Sequence, residues 1–177
     1  RGKTVEKEKN VEIVSIPHLF WDSVKRRDQK TAMREKDLGI WQAISWQKYG
    51  LHARNTGLAL YSFGLQKGEV VSIASEGKPE WLYTDMGAIG VGGISSGVYT
   101  TDSAAQVKYL VNDSKTKFYF AENAEQLDKI LEVRTECPSL EKIIVYDMEG
   151  LQNFSDSQVM SYDDFLNVGA ELHSKKP

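Results

Sequence analysis

Between Trp46 and Phe63 apolar side chains return every three or four residues. Trp46, Tyr49, Ala53, Leu60 and Phe63 fall on one stripe broken only by Thr56, which is the period of a helix with one buried face. Ser45 stands in front of it as an N-cap, and Gly64 stops it. The period then changes. Val70-Val71-Ser72-Ile73-Ala74 is a short apolar run between Gly68 and Gly77, as a buried strand of a parallel sheet reads. Pro79 suits a first helical turn. Leu82, Met86 and Ile89, with Trp81 and Ala88 beside them, predict an inward helical face. Gly90, Gly92 and Gly93 close that helix, and Ile94 to Val98 returns as a strand. This is a βαβ unit, whose crossover is right-handed.

The alternation continues to the C-terminus. Ser103 to Gln106 has capping-box spacing, with Ala104, Val107, Leu110 and Val111 inward. Lys117–Ala121 reads as a strand. Asn123 and Gln126 open a helix that buries Leu127, Ile130 and Leu131, and Cys137-Pro138 breaks it. Ile143–Tyr146 is a further strand, and Ser161 to Leu172 a final helix. Upstream, His18-Leu19-Phe20-Trp21 begins a short helix with Leu19, Phe20 and Val24 inward. Thr31–Glu35 and Ile40–Ser45 form a hairpin across Lys36–Gly39. The expected fold is α/β: an open, mostly parallel sheet with helices on both faces, preceded by a short helix and a β-hairpin. Residues 1–16 are expected to be an extended or disordered arm, and residues 17–177 one subdomain.

Composition narrows the class. At 177 residues the chain can bury a real core. Twenty-two basic against 25 acidic residues leave a net charge of -3, which excludes a strongly basic nucleic-acid binder. A single cysteine, Cys137, cannot close an internal disulfide, and no apolar run approaches membrane-spanning length. Together these point to a reducing, cytoplasmic setting. The start on Arg1 and the end on Ser174–Pro177 suggest a piece of a longer protein.

The chemical inventory is thin. No Walker loop and no nucleophile elbow are present. Gly90-Val91-Gly92-Gly93 follows a helix and does not open one, so it lacks the N-terminal amides that hold a pyrophosphate. His18, His52 and His173 are too scattered for metal-ligand spacing, and His52 reads as a solvated or rim residue. Cys137 reads as a buried filler, Glu122 and Asp163-Asp164 as capping or solvated carboxylates, and Trp81 as core. No catalytic or metal-ligating residue is assigned. Ligands of parallel sheets gather outside the C-terminal strand ends, so Ser75, Glu76, Tyr99 and Thr100 are the rim candidates.

A resemblance supplies what the chemistry does not. Thr31-Ala32-Met33-Arg34-Glu35-Lys36, Gly39-Ile40-Trp41 and Ile44-Ser45-Trp46-Gln47-Lys48-Tyr49 resemble the opening motifs of long-chain fatty-acid–CoA ligases of the AMP-binding, acyl-adenylate-forming superfamily. Gly57 to Val71, Pro79-Glu80-Trp81, Val98-Tyr99-Thr100-Thr101 and Asn112-Asp113-Ser114 continue it. Gly77 stands where the family commonly has asparagine, and Thr100 where it has proline. The resemblance implies a truncated N-terminal part of such a ligase. The parent would use ATP, Mg²⁺ and coenzyme A on a fatty acid, with its phosphate loop and catalytic lysine beyond Pro177. None of these cofactors is expected to bind this chain alone. The resemblance also allows peripheral membrane contact in the parent. Truncation implies self-association through an open sheet edge, at the Thr31–Ser45 hairpin or the Ile143–Tyr146 strand. The alternative is a stand-alone, non-catalytic α/β interaction module related to the ligases.

Overall fold

The computed structural model describes residues 15–175. The expected N-terminal arm therefore falls almost wholly outside the described residues. Helix α1 (Ile16–Arg27) starts where the Ser15 hydroxyl accepts the His18 N–H. Strands β1 (Thr31–Asp37) and β2 (Ile40–Ser45) pair antiparallel. Their two-residue turn puts both Leu38 (φ 45°) and Gly39 (φ 83°) in the left-handed region, as the twist of a tight hairpin requires. Ser45 caps α2 (Trp46–Ser62) as expected. The rest alternates: β3 (Val70–Ala74), α3 (Pro79–Gly90), β4 (Ile94–Val98), α4 (Ala104–Ser114), β5 (Thr116–Ala121), α5 (Ala124–Val133), β6 (Lys142–Val145), β7 (Val159–Ser161) and α6 (Tyr162–Lys175).

The five strands β3 to β7 form one sheet in the order β4-β3-β5-β6-β7, every neighbour parallel. Both faces are covered, as parallel sheets demand. On one face α4 and α5 bring Val107, Val111, Leu127 and Ile130 onto Tyr119, Ile143 and Val145. On the other, α2, α3 and α6 bring Leu60, Ala88 and Phe165 onto Val71, Ile73, Phe118, Phe120 and Ile144. A third cluster, Phe20, Ile44, Tyr49, Ala53 and Tyr83, joins α1 and the hairpin to α2 and α3.

Helix α2 lies between α3 and α6 because small residues let the backbones approach. A Cβ on Gly57 would stand 2.8 Å from the Gly87 carbonyl oxygen, and one on Gly87 2.8 Å from that of Ala53. On the other flank, Gly169 of α6 rides directly on the backbone of Asn55. Buried hydroxyls tie the same layer together, with Thr56 and Tyr162 2.8 Å apart and Thr84 and Tyr146 2.7 Å apart.

Several expectations are corrected here. Helix α3 buries Tyr83, Thr84, Gly87 and Ala88, while Leu82 of the expected face is 38% exposed. The Gly57–Gly87 approach and the Thr84–Tyr146 pair set its rotation, and apolarity alone carries neither signal. In α1 Phe20 and Ser23 are buried and Val24 packs partly buried on the third cluster as expected, but Leu19 is exposed. In α5 Val133 is buried and Leu131 only partly so. Of the three glycines expected to close α3, Gly92 alone takes the left-handed conformation (φ 87°), and Gly90 remains helical. The Ile143–Tyr146 segment is not an edge, because β6 pairs with β5 on one side and with β7 on the other. Strand β7 is only three residues long, too short for period-two alternation to reveal it.

Candidate functional site at the C-terminal end of β3

Strand order dictates where a site can form. The helix after β3 packs on one face of the sheet, whereas the helices after its neighbours β4 and β5 pack on the other. The chain therefore parts on both sides of the β3 C-terminus, and such switch points leave crevices where α/β proteins bind ligands. The loop Ser75-Glu76-Gly77-Lys78 leaves the sheet at that point.

Glu122, the residue directly after β5, closes one crevice. Its carboxylate accepts the Glu76 N–H at 2.6 Å and the Ser75 hydroxyl at 3.1 Å, and it faces the Lys78 ammonium at 3.1 Å. Burial pushes the Glu122 carboxyl up, but the Glu76 amide, Lys78 and the Ser75 hydroxyl outweigh it and leave it below its ordinary value. For Lys78, burial opposes the charge and the Glu122 hydrogen bond restores it, so its ammonium ends above the ordinary value. A carboxylate held charged, with both oxygens engaged, is an anchor and not a general base.

Across the second crevice, the Thr100 hydroxyl donates to the Glu76 carboxylate. The Thr100 carbonyl accepts from the Lys129 ammonium at 2.6 Å and from the Gln126 amide at 3.2 Å. Three of the four rim candidates, Ser75, Glu76 and Thr100, thus share one network. Tyr99 stands apart, 80% exposed, beside an open hollow of about 480 Å³ against α4. The network's centre, Glu122, was read from sequence as a capping or solvated carboxylate. Its place one residue after an apolar strand was the available signal, but the strand order that sets it beside Ser75 is not written locally.

The remaining chemical residues are structural. His52 is not solvated: its ring stacks on Tyr83 at 4.6 Å and its Nδ1 is buried. Burial and then Lys48 lower its proton affinity, against Asp163. Cys137 is buried in the core, which raises its thiol. The Ser161 hydroxyl accepts the Asp164 N–H at 3.1 Å, opening α6, and Trp81 packs on the core. No helix of the described residues is long and apolar enough to cross a membrane.

A family model described as AMP-binding enzyme matches residues 20–174. The chain belongs to the AMP-binding enzyme family. Among its relatives, the human long-chain-fatty-acid–CoA ligase ACSBG2 is 30% identical over 160 residues, which is 90% of this chain and 24% of that protein. The rat long-chain-fatty-acid–CoA ligase ACSBG1 is 25% identical over 158 residues, 89% of this chain and 22% of the relative. The chain thus spans about a quarter of the length of these relatives. In fold it resembles an anthranilate CoA ligase bound to anthranoyl-AMP (TM-score 0.72, 22% identity, 85% of this chain and 26% of that one). It also resembles the A-PCP didomain of a carboxylic acid reductase from Segniliparus rugosus (TM-score 0.76, 13% identity, 90% and 27%). The five-stranded parallel sheet and its helices are therefore the fold of part of an adenylation domain.

AMP-binding enzymes imply a nucleotide, but the donor set at this crevice does not suit one. Its anionic groups, Glu76 and Glu122, would face phosphate with like charge, and its cations Lys78 and Lys129 are engaged internally. Among the described residues no three His, Cys, Asp or Glu side chains cluster to hold a metal. No step of adenylation is assigned to these residues.

The anchor makes a pH prediction. Because the folded Glu122 pKa lies below its ordinary 4.5, its stabilisation is complete above that pH and is lost as pH falls through the lowered folded value. Glu122→Gln is expected to lose about 1–2 kcal/mol at pH 7, and the gap to wild type should close on acidification. Urea midpoints across a pH series check this; a gap that stays constant into acid would show that the charge contributes nothing.

Proposed function

We propose that this chain is the N-terminal α/β part of an AMP-forming ligase that acts on long-chain fatty acids. The whole protein would join a carboxylate to the AMP moiety of ATP with Mg²⁺, releasing pyrophosphate, and pass the acyl group to the thiol of coenzyme A, releasing AMP. The groups that stabilise charge on the reacting phosphate would come from residues beyond 177. This part would supply the sheet and the braced loop Ser75–Lys78 that supports the site from one side. The observation that carries the reading is the continuous family match over residues 20–174. The long-chain acid is supported by the identity to ACSBG2. The same reading puts the protein in the cytoplasm, with peripheral membrane contact where an apolar substrate is collected.

The test pairs the 177-residue chain with the protein read from its full frame. Pyrophosphate release is measured with ATP, Mg²⁺ and acids ranging from acetate to palmitate and benzoate. The full protein is expected to turn over palmitate fastest, and the short chain to release none. Pyrophosphate release by the pure short chain would overturn the placement of the catalytic groups. A preference for benzoate or acetate would overturn the substrate. A frame that stops at residue 177 would replace the enzyme with a stand-alone module.

A further inference from the structure

The β1–β2 hairpin ends in a turn that its own stability does not favour. Tight hairpin turns of this kind take asparagine, aspartate or glycine at the first central position, because a larger L-residue is strained at positive φ. Leu38 holds that position at φ 45° and is 95% exposed. It thus accepts backbone strain and leaves a whole apolar side chain in water, and strain of this sort points to function. Beside it, Ile40 and Trp41 are each 65% exposed. The hairpin is a two-stranded sheet of its own, and it joins the core through Met33 and Ile44, at the end away from the turn.

Register sorts the charges. Lys36 stands directly opposite Trp41, and Arg34 opposite Ala43, so these four share one face. All four are exposed. Glu35 and Asp37, opposite Gln42 and Ile40, lie on the other face, with Met33 and Ile44. The outer face therefore carries two cations, a tryptophan and an apolar tip, and no acid. Neither Arg34 nor Lys36 is in an ion pair among the described residues. From Lys25 to Lys36 the chain has six basic residues and two acidic ones, although its net charge is -3. The field at this corner is opposite in sign to that of the molecule.

We propose that this hairpin is a membrane contact: Leu38 and Trp41 enter an anionic bilayer surface, and Arg34 and Lys36 pair with the lipid phosphates. An apolar tip in front of cations matches hydrocarbon beneath a negative headgroup layer, and tryptophan favours that boundary. Lys36 lies two residues behind Leu38, about 7 Å along the strand. That is close to the depth of about 5–10 Å that interfacial apolar groups reach. The choice of a bilayer over a protein partner also rests on the proposed reading of the substrate as a long-chain acid, which such a surface would supply.

Co-sedimentation of the full-frame protein with vesicles tests it. Pure phosphatidylcholine is set against phosphatidylcholine with about 30% phosphatidylserine. The wild type is expected to bind the anionic vesicles, with brominated acyl chains quenching a part of its fluorescence that Trp41→Phe removes. Leu38→Asn is the deciding variant. It relieves the turn, so thermal stability should hold or rise, while binding to anionic vesicles falls at least fivefold. Arg34→Gln and Lys36→Gln should each cost about fivefold on anionic vesicles and change nothing on neutral ones. A loss of thermal stability in Leu38→Asn would overturn the proposal, since another part of the protein would then cover the tip. So would equal binding by wild type and Leu38→Asn, or equal binding to the two vesicle types. A dimer in vesicle-free solution that Leu38→Asn dissociates would also overturn it, because the occupant would be a second copy. Vesicle binding by a protein that activates no carboxylic acid would sink the ligase reading alone. An active ligase that binds no vesicle would sink the hairpin proposal alone.

Discussion

Leu60→Ala is expected to destabilise the fold by roughly 2–5 kcal/mol. Leu60 is completely buried on α2, in the cluster that includes Val71, Ile73, Phe118 and Phe165. Truncation removes apolar contacts on the central layer, and its neighbours are held by the sheet on one side and by α3 and α6 on the other. Collapse into the cavity is therefore limited, which favours the upper half of that range. Denaturant midpoints with an unchanged slope measure the effect. A midpoint matching wild type would mean that α2 does not carry the core.

Gly169→Ala is expected to cost at least about 3 kcal/mol, the upper end of what overpacking does. The added methyl would overlap the Asn55 carbonyl, a backbone atom that cannot rotate aside. Relief requires α6 to move off α2, which would strain the Thr56–Tyr162 hydroxyl pair and the Phe165 contact with Phe120. Thermal unfolding of the variant measures it. A control at Gly150, where a Cβ meets nothing within 4 Å but φ is 80°, should cost only the smaller backbone penalty of a left-handed alanine. Equal losses at the two positions would show that the α2–α6 approach is not tight.

The two effects differ in how visible they are in one dimension. Leu60 belongs to a stripe whose period alone predicts burial, whereas Gly169 carries no periodic signal. Its role exists only because α6 returns to lie on α2, more than a hundred residues after Asn55 was laid down.

The same division runs through the site. The rim positions Ser75, Glu76 and Thr100 could be named in advance, because strand ends follow from apolar runs and parallel sheets bind at those ends. Glu122 could not be recognised as their partner, because β5 comes to lie beside β3 only after the chain has gone out to β4 and back. Tyr99 was grouped with the rim by adjacency, yet at the end of β4 it faces outward toward α4.

Local periodicity and capping chemistry settled the class of fold, most element positions and the Ser45 and Ser103 caps, since each depends on residues within a turn or two of one another. The family likeness was carried in the same way by short motifs. Folding alone settled the strand order, the rotation of α3, the three-residue strand β7 and the bridging of two crevices by Glu122 and Glu76. Those depend on which distant backbones approach closely, and glycines and hydroxyls arrange that approach without leaving a pattern along the chain.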